Sequence, residues 1–158
     1  MTLLKTSGIV LAIAVAGVLI AAATRSDTFR VQRSASSKAA PKKIFPLIDD
    51  LRRFNTWNPF EKKDSNVKGS YSGAPSGKGA AYALDGNKNV GKGTIEIVDT
   101  APASLQPRGD TTEVTWAMQG PVPYVAKIIH LFIDMDRMIG TEFEAGLASL
   151  KTIAEKTP

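Results

Sequence analysis

The stretch Pro121–Lys156 constrains this chain more than any other. Val125, Ile128, Ile129, Phe132, Met135, Ile139, Phe143, Leu147, Leu150 and Ile153 recur at steps of three and four. At 3.6 residues per turn such positions share one helical face. Lys127, Asp134, Asp136, Arg137, Glu144, Lys151 and Glu155 occupy the other. A stripe this long needs a large apolar surface beneath it, and only a sheet supplies one here. Thr141-Glu142-Phe143-Glu144 has the form of a capping box. The pattern therefore predicts two helices, Tyr124–Ile139 and Glu142–Glu155, kinked or broken at Gly140-Thr141.

The sheet is written in the middle of the chain. Phe29, Val31 and Ala35 alternate with polar residues in a first strand. A helix follows, with Pro41 at its first position and Ile44, Phe45, Leu47, Ile48, Leu51 and Phe54 on its buried side. Pro46 is expected to kink it, and it is expected to end before Asn55-Thr56-Trp57-Asn58-Pro59, where Pro59 biases Asn58 away from helical geometry. Val67/Tyr71, Ala80/Tyr82/Leu84 and Ile95/Ile97 then mark three strands. Gly73–Gly79 and Asp85–Asn89 connect them with turn chemistry. Thr112, Val114, Trp116 and Met118 alternate in a last strand ending at Gly120-Pro121. The order predicts an α+β domain: one antiparallel sheet of about five strands, covered on one face by helix.

Gly8–Ala23 carries no charge and lies between Lys5 and Arg25. It is within the length of a membrane-spanning helix. It also reads as a signal peptide, with Ala21-Ala22-Ala23 as an A-x-A cleavage site. Residues 1–27 are thus anchor or signal plus a short linker, and residues 28–158 the folded domain. The expected location is the cell membrane, through one N-terminal span at residues 8–23. The alternative is a secreted or periplasmic protein after cleavage. Arg25, Arg30, Arg33, Lys38, Lys42 and Lys43 bias the anchored domain towards the cytoplasm.

Several chemistries are excluded. With no cysteine there is no disulfide, thiolate zinc site, thiol nucleophile or lipobox anchor. His130 is the only histidine, which leaves it short of an ordinary zinc site or a triad. Asp134 and Asp136 are two apart on a helix and point to different sides. An Asp134–Arg137 surface pair is the simpler expectation. Gly73–Gly79 lacks the spacing of a phosphate loop. The net charge of +5 comes without exposed aromatics interleaved among the basic residues, so nucleic acid is not an expected partner. No cofactor is expected.

Taken in order, Ala40-Pro41-Lys42-Lys43-Ile44-Phe45, Trp57-Asn58-Pro59, Ser72-Gly73 with Gly77 and Gly79, Gly91 and Gly93, Ala101-Pro102, Gly109–Trp116 and Gly120-Pro121 resemble the SRPBCC superfamily. The closer resemblance is to its polyketide cyclase/dehydrase and lipid-transport branch, of START-like type, whose bacterial membrane-anchored members begin with one apolar helix. The resemblance implies a helix-grip fold, in which a curved sheet wraps a long C-terminal helix around a cavity for hydrophobic ligands. Trp57, Tyr71, Tyr82, Leu84, Ile95, Trp116, Met118, Phe132, Met135 and Ile139 are the residues expected to line it, and the same residues also serve as core. The implied function is tethered binding or transport of a hydrophobic small molecule or lipid. The alternative is a cyclase/aromatase-type enzyme, for which Tyr71 and Tyr82 are the only obvious proton donors. The family carries two strands more than the five expected here. Because Thr100–Asp110 is too brief for both, the strand near Thr94–Val98 is expected to pair directly with Thr112–Met118.

Overall fold

The computed structural model describes residues 2–88, 90–98 and 105–156. Its elements run α1 (Thr2–Ala23), β1 (Thr28–Ser37), α2 (Pro41–Asp49), α3 (Leu51–Trp57), a 3-10 turn (Glu61–Lys63), β2 (Lys68–Gly73), β3 (Ala80–Asp85), β4 (Lys92–Glu96), β5 (Leu105–Arg108), β6 (Thr111–Pro121), α4 (Tyr124–His130) and α5 (Met135–Lys156). The fold is α+β, with two antiparallel three-stranded sheets ordered β1-β6-β5 and β2-β3-β4. The chain divides into two compact units. One comprises Met1–Val31 with Ala117–Ile139, and the other Gln32–Trp116 with Gly140–Pro158.

Four expectations are corrected. First, the described residues form six strands, and β4 does not pair with β6. β4 pairs with β3, Tyr82 opposite Ile95, while β6 takes β5 as its partner, Leu105 opposite Val114 and Arg108 opposite Thr111. That register leaves the two-residue turn Gly109-Asp110. Gly109 has φ +59°, the positive value that the first position of a type II′ hairpin turn demands. Pro107 has no N–H to donate and is tolerated because β5 is an edge strand. The preceding link, residues 99–104, lies outside the described residues.

Second, the helix after β1 is broken at Asp50 rather than merely kinked at Pro46, and it continues to Trp57. Asp50 has extended backbone (φ −106°, ψ 114°), and its carboxylate accepts from the Arg52 amide at 2.8 Å. It therefore ends α2 and caps α3. Third, the C-terminal helices divide at 131–134, before Met135, and α5 runs unbroken through Gly140-Thr141. Fourth, Asp134 does not serve as the surface ion-pair partner of Arg137. Its carboxylate accepts from the Arg137 amide at 2.9 Å, as a helix-capping side chain does. The residues read as a capping box are interior to a helix whose cap lies a full two turns earlier.

In the second unit, Leu147, Leu150 and Ala154 of α5 pack with Ile44, Trp57, Leu105 and Val114, and Trp116 packs at the margin. A smaller cluster joins Leu51 of α3 to Ala80 and Tyr82 of β3, with Leu84, Ile95 and Ile97 alongside. Phe54 touches both clusters. In the first unit α4 packs against α1. The Tyr124 hydroxyl donates to the Leu19 carbonyl at 2.7 Å, and the Val122 amide donates to the Asp27 carbonyl at 2.7 Å.

Candidate ligand-binding site

The β2–β3–β4 sheet brings four of the expected lining residues together. Tyr71 pairs with Tyr82, Tyr82 with Ile95, and Leu84 follows Tyr82 by two. Directly opposed residues, and residues two apart on a strand, share a face. Gly69, Tyr71, Ala80, Tyr82, Leu84 and Ile95 therefore form one side of the sheet, and α3 lies over part of it through Leu51 and Phe54. A helix of seven residues is too short to cover the whole face. Tyr82 is buried, while Tyr71 stays 38% exposed.

A cleft of about 240 Å³ opens beside Tyr71, lined by Leu51, Arg52, Ala74, Pro75 and Ala80 among others. Polar handles converge there. The Arg52 guanidinium lies 4.2 Å from the Tyr71 ring centroid, a cation–π distance. Asn55 Nδ2 donates to the Tyr71 hydroxyl at 2.9 Å. The loop behind the cleft is fixed by its backbone, with Gly77 N–H donating to the Asp49 carbonyl at 2.9 Å and Gly79 N–H to Ile97 at 2.8 Å.

Tyr82 is held differently. Its ring lies across β2 where Gly69 has no side chain, and a Cβ there would collide with the phenol. Tyr71 and Tyr82 ring centroids are 4.6 Å apart. The Tyr82 hydroxyl donates to Glu61 Oε1. Burial first, then the Glu61 hydrogen bond and charge, push the phenol well above the usual tyrosine range. It stays protonated at neutral pH, with its proton directed at Glu61.

Trp57 and Trp116 belong to another structure. Trp57 is buried and its indole N–H donates to the Leu47 carbonyl at 2.8 Å. Trp116 stacks on Phe143 of α5, with centroids 4.1 Å apart and planes at 5°, and meets Phe54 and Trp57 edge-on. The neighbouring space bounded by Ala35, Ile44, Val114, Leu147 and Leu150 admits no water-sized body. The seam between α5 and β6 in this unit is packed core, not a hollow. Met118, Phe132, Met135 and Ile139 lie in the first unit, where Met118 and Phe132 are exposed and Met135 and Ile139 half-buried.

Several residues that line the cleft or hold its two tyrosines were not named from the sequence. Leu51 was legible only as part of a helix stripe, and Ala74-Pro75 only as a connector. Arg52 and Asn55 stand on the polar side of that stripe, and nothing in the spacing says that their heads return to Tyr71. Glu61 follows a proline and an aromatic in a turn, and its reach to Tyr82 is a tertiary fact. Among the described residues no group of His, Asp and Glu side chains is arranged to hold a metal ion.

No family model matches the chain, and no curated protein matches it. Solved structures do. The solution NMR structure of a Staphylococcus epidermidis protein aligns over 85% of this chain and 93% of its own, with TM-score 0.53 and 15% identity. The crystal structure of Ara h 8.0201 aligns over 80% of this chain and 97% of its own, with TM-score 0.50 and 8% identity. The shared fold is an α+β helix-grip. At these identities it is the fold that is shared, and residue roles do not carry over.

Proposed function

We propose that this protein binds a hydrophobic small molecule or lipid on the apolar face of β2–β3–β4, and that α1 tethers it to a membrane. The observation that carries the reading is the convergence of Tyr71, Tyr82, Leu84 and Ile95 on one sheet face, beside a cleft that α3 leaves open. Apolar walls with a few fixed polar groups are the usual make-up of a small-molecule site. Here Asp50, Arg52, Ser72 and the Tyr71 hydroxyl supply the polar part, with Asn55 holding that hydroxyl. At about 240 Å³ the cleft suits one ring or a short acyl segment, with the rest of a larger ligand lying outside.

The SRPBCC-like motif order supports a reading of the chain in the polyketide cyclase and lipid-transport branch, with residues 28–158 as the ligand-binding domain. α1 contains an uncharged 18-residue window of mean hydropathy 2.3 that is long enough to span, which supports a single-pass anchor. Binding is favoured over cyclase chemistry by the state of Tyr82. A general acid works best with its pKa near the operating pH, whereas this phenol is pushed the other way and donates to Glu61.

Native mass spectrometry of the full chain extracted from membrane tests the proposal. The expected result is a co-purifying hydrophobe, with occupancy reduced about tenfold in Tyr71→Ala, as the loss of roughly 1.4 kcal/mol of contact implies. Equal occupancy in both proteins, or none in either, contradicts it.

A further inference from the structure

α4 is inverted for a water-facing helix. Val125 (69% exposed) and Ile129 (50%) point outward, and Phe132 (75%) and Ile133 (44%) extend the same row in the turn that follows. Their spacing of four, three and one is that of a single amphipathic face. The inward side carries Lys127, only 6% exposed, whose ammonium is neutralised by Asp27. In water the lysine belongs outside and the four apolar residues inside. A helix with its charge buried and its apolar row presented is arranged for apolar surroundings.

The neighbour of α4 says which surroundings. α4 packs on α1, and Tyr124 at its start donates to the carbonyl of Leu19. Leu19 stands four residues before the end of α1 at Ala23, roughly 6 Å along the axis. α1 is itself apolar and exposed at Ile9, Leu11, Ile13 and Ile20. The outward row of α4 thus adjoins a helix surface whose only suitable solvent is hydrocarbon, about one turn below the end of α1 at Ala23. That is the depth of the boundary between headgroups and acyl chains, where tyrosine is favoured and where amphipathic helices lie with their apolar face down.

We infer that Val125, Ile129, Phe132 and Ile133 form a second membrane contact, an interfacial foot lying in the bilayer surface beside the end of α1. This rests on the anchor reading of α1 given above. Two elements in the bilayer restrict how the first unit turns about its tether, whereas one span alone leaves it free to swivel.

The native chain has no cysteine, so single labels are specific. Leu11→Cys, Phe132→Cys and Ser70→Cys carry an environment-sensitive fluorophore in the full chain, reconstituted into phosphatidylcholine/phosphatidylglycerol vesicles with nitroxide-labelled acyl chains. The expected result is quenching at 11 by deep nitroxides and quenching at 132 by shallow ones, the label at 70 reporting on the second unit separately. Quenching at 11 with none at 132 overturns the foot and leaves the anchor standing. Quenching at neither position overturns both, and quenching at 132 alone removes the anchor on which the foot rests and overturns the inference. A label at 132 shielded from nitroxide lipid and from aqueous iodide alike means that protein, such as a second copy, covers the row, and it too overturns the inference.

Discussion

One apolar stripe runs from Val125 to Ile153 in the sequence, and its two halves meet opposite fates. Phe143, Leu147 and Leu150 are each 2% exposed or less, whereas Val125, Ile129 and Phe132 are each half exposed or more. The buried half has partners that fit it. Trp116 stacks on Phe143, and Gly146 lets that indole lie against the helix backbone. The outer half shares its unit with α1 and turns its apolar row away from Lys127. Periodicity reports which residues share a face. It does not report what the face meets, and in this chain the same pattern serves a core and a surface.

The largest effects should separate the halves outright. Phe143→Ala removes a fully buried ring and its stacking partner's support, and a loss of about 3–5 kcal/mol is expected. Phe132→Ala removes a ring of equal size from an exposed site, and a change within about 0.5 kcal/mol is expected in the same chemical denaturation. Equal losses would mean that the outer half is core as well.

A second pair sharpens how tightly the inner half is packed. Gly140 and Gly146 are both buried in α5. A Cβ on Gly146 would sit 2.6 Å from Trp116 Cζ3 and 3.1 Å from Pro59 Cδ, rigid neighbours with nowhere to go. Gly146→Ala is expected to destabilise by about 1–3 kcal/mol through overpacking. At Gly140 the obstacle is the guanidinium of Arg33, which also donates to Glu144 at 2.8 Å. A long side chain can swing aside. The helix-propensity gain of about 1 kcal/mol over glycine then offsets the lost arrangement, so Gly140→Ala is expected near wild type. Thermal melts of the two variants distinguish a rigid seam from a yielding one.

Much of this was open to reading. Alternation at Ala80/Tyr82/Leu84 and Thr112–Met118 gave strands in the right places, because half-buried strands must alternate. Tyr71, Tyr82, Leu84 and Ile95 were named among ten candidate lining residues on three separate strands, and their meeting on one face follows from the register, which alternation alone does not encode. β5 was not recognised, since Leu105-Gln106-Pro107-Arg108 has no alternation to follow, although Gly109-Asp110 is a hairpin turn signal in its own right. The helix break was misplaced because Thr141–Glu144 matches a capping box, while Asp134 caps α5 from a context with no such pattern. Arg52 over Tyr71 and Glu61 on Tyr82 are contacts between distant segments, which no local rule encodes.

The smallest expected effect lies at the far end of the buried half. Glu155 accepts from the Lys38 amide at 2.7 Å and from the Ser37 hydroxyl at 3.1 Å. The backbone hydrogen bond above all lowers its pKa below the usual glutamate value. The ionised form therefore adds stability above that ordinary value, and the contribution is lost as pH falls through the lowered one. Stability measured through the acid range should decline slightly less steeply in Glu155→Gln than in wild type. Parallel curves would show that the C-terminal end of α5 is not held by this carboxylate.

The two-fates account is tested most directly by the contacts of the phenylalanine rings themselves. The measurement is a nuclear Overhauser spectrum of the full chain, labelled at phenylalanine and held in lipid bicelles. The predicted result is that the Phe143 ring shows contacts to the Trp116 indole and none to lipid, while the Phe132 ring shows contacts to acyl-chain protons. Lipid contacts at Phe143, or a Phe132 ring with contacts to protein alone, would contradict it.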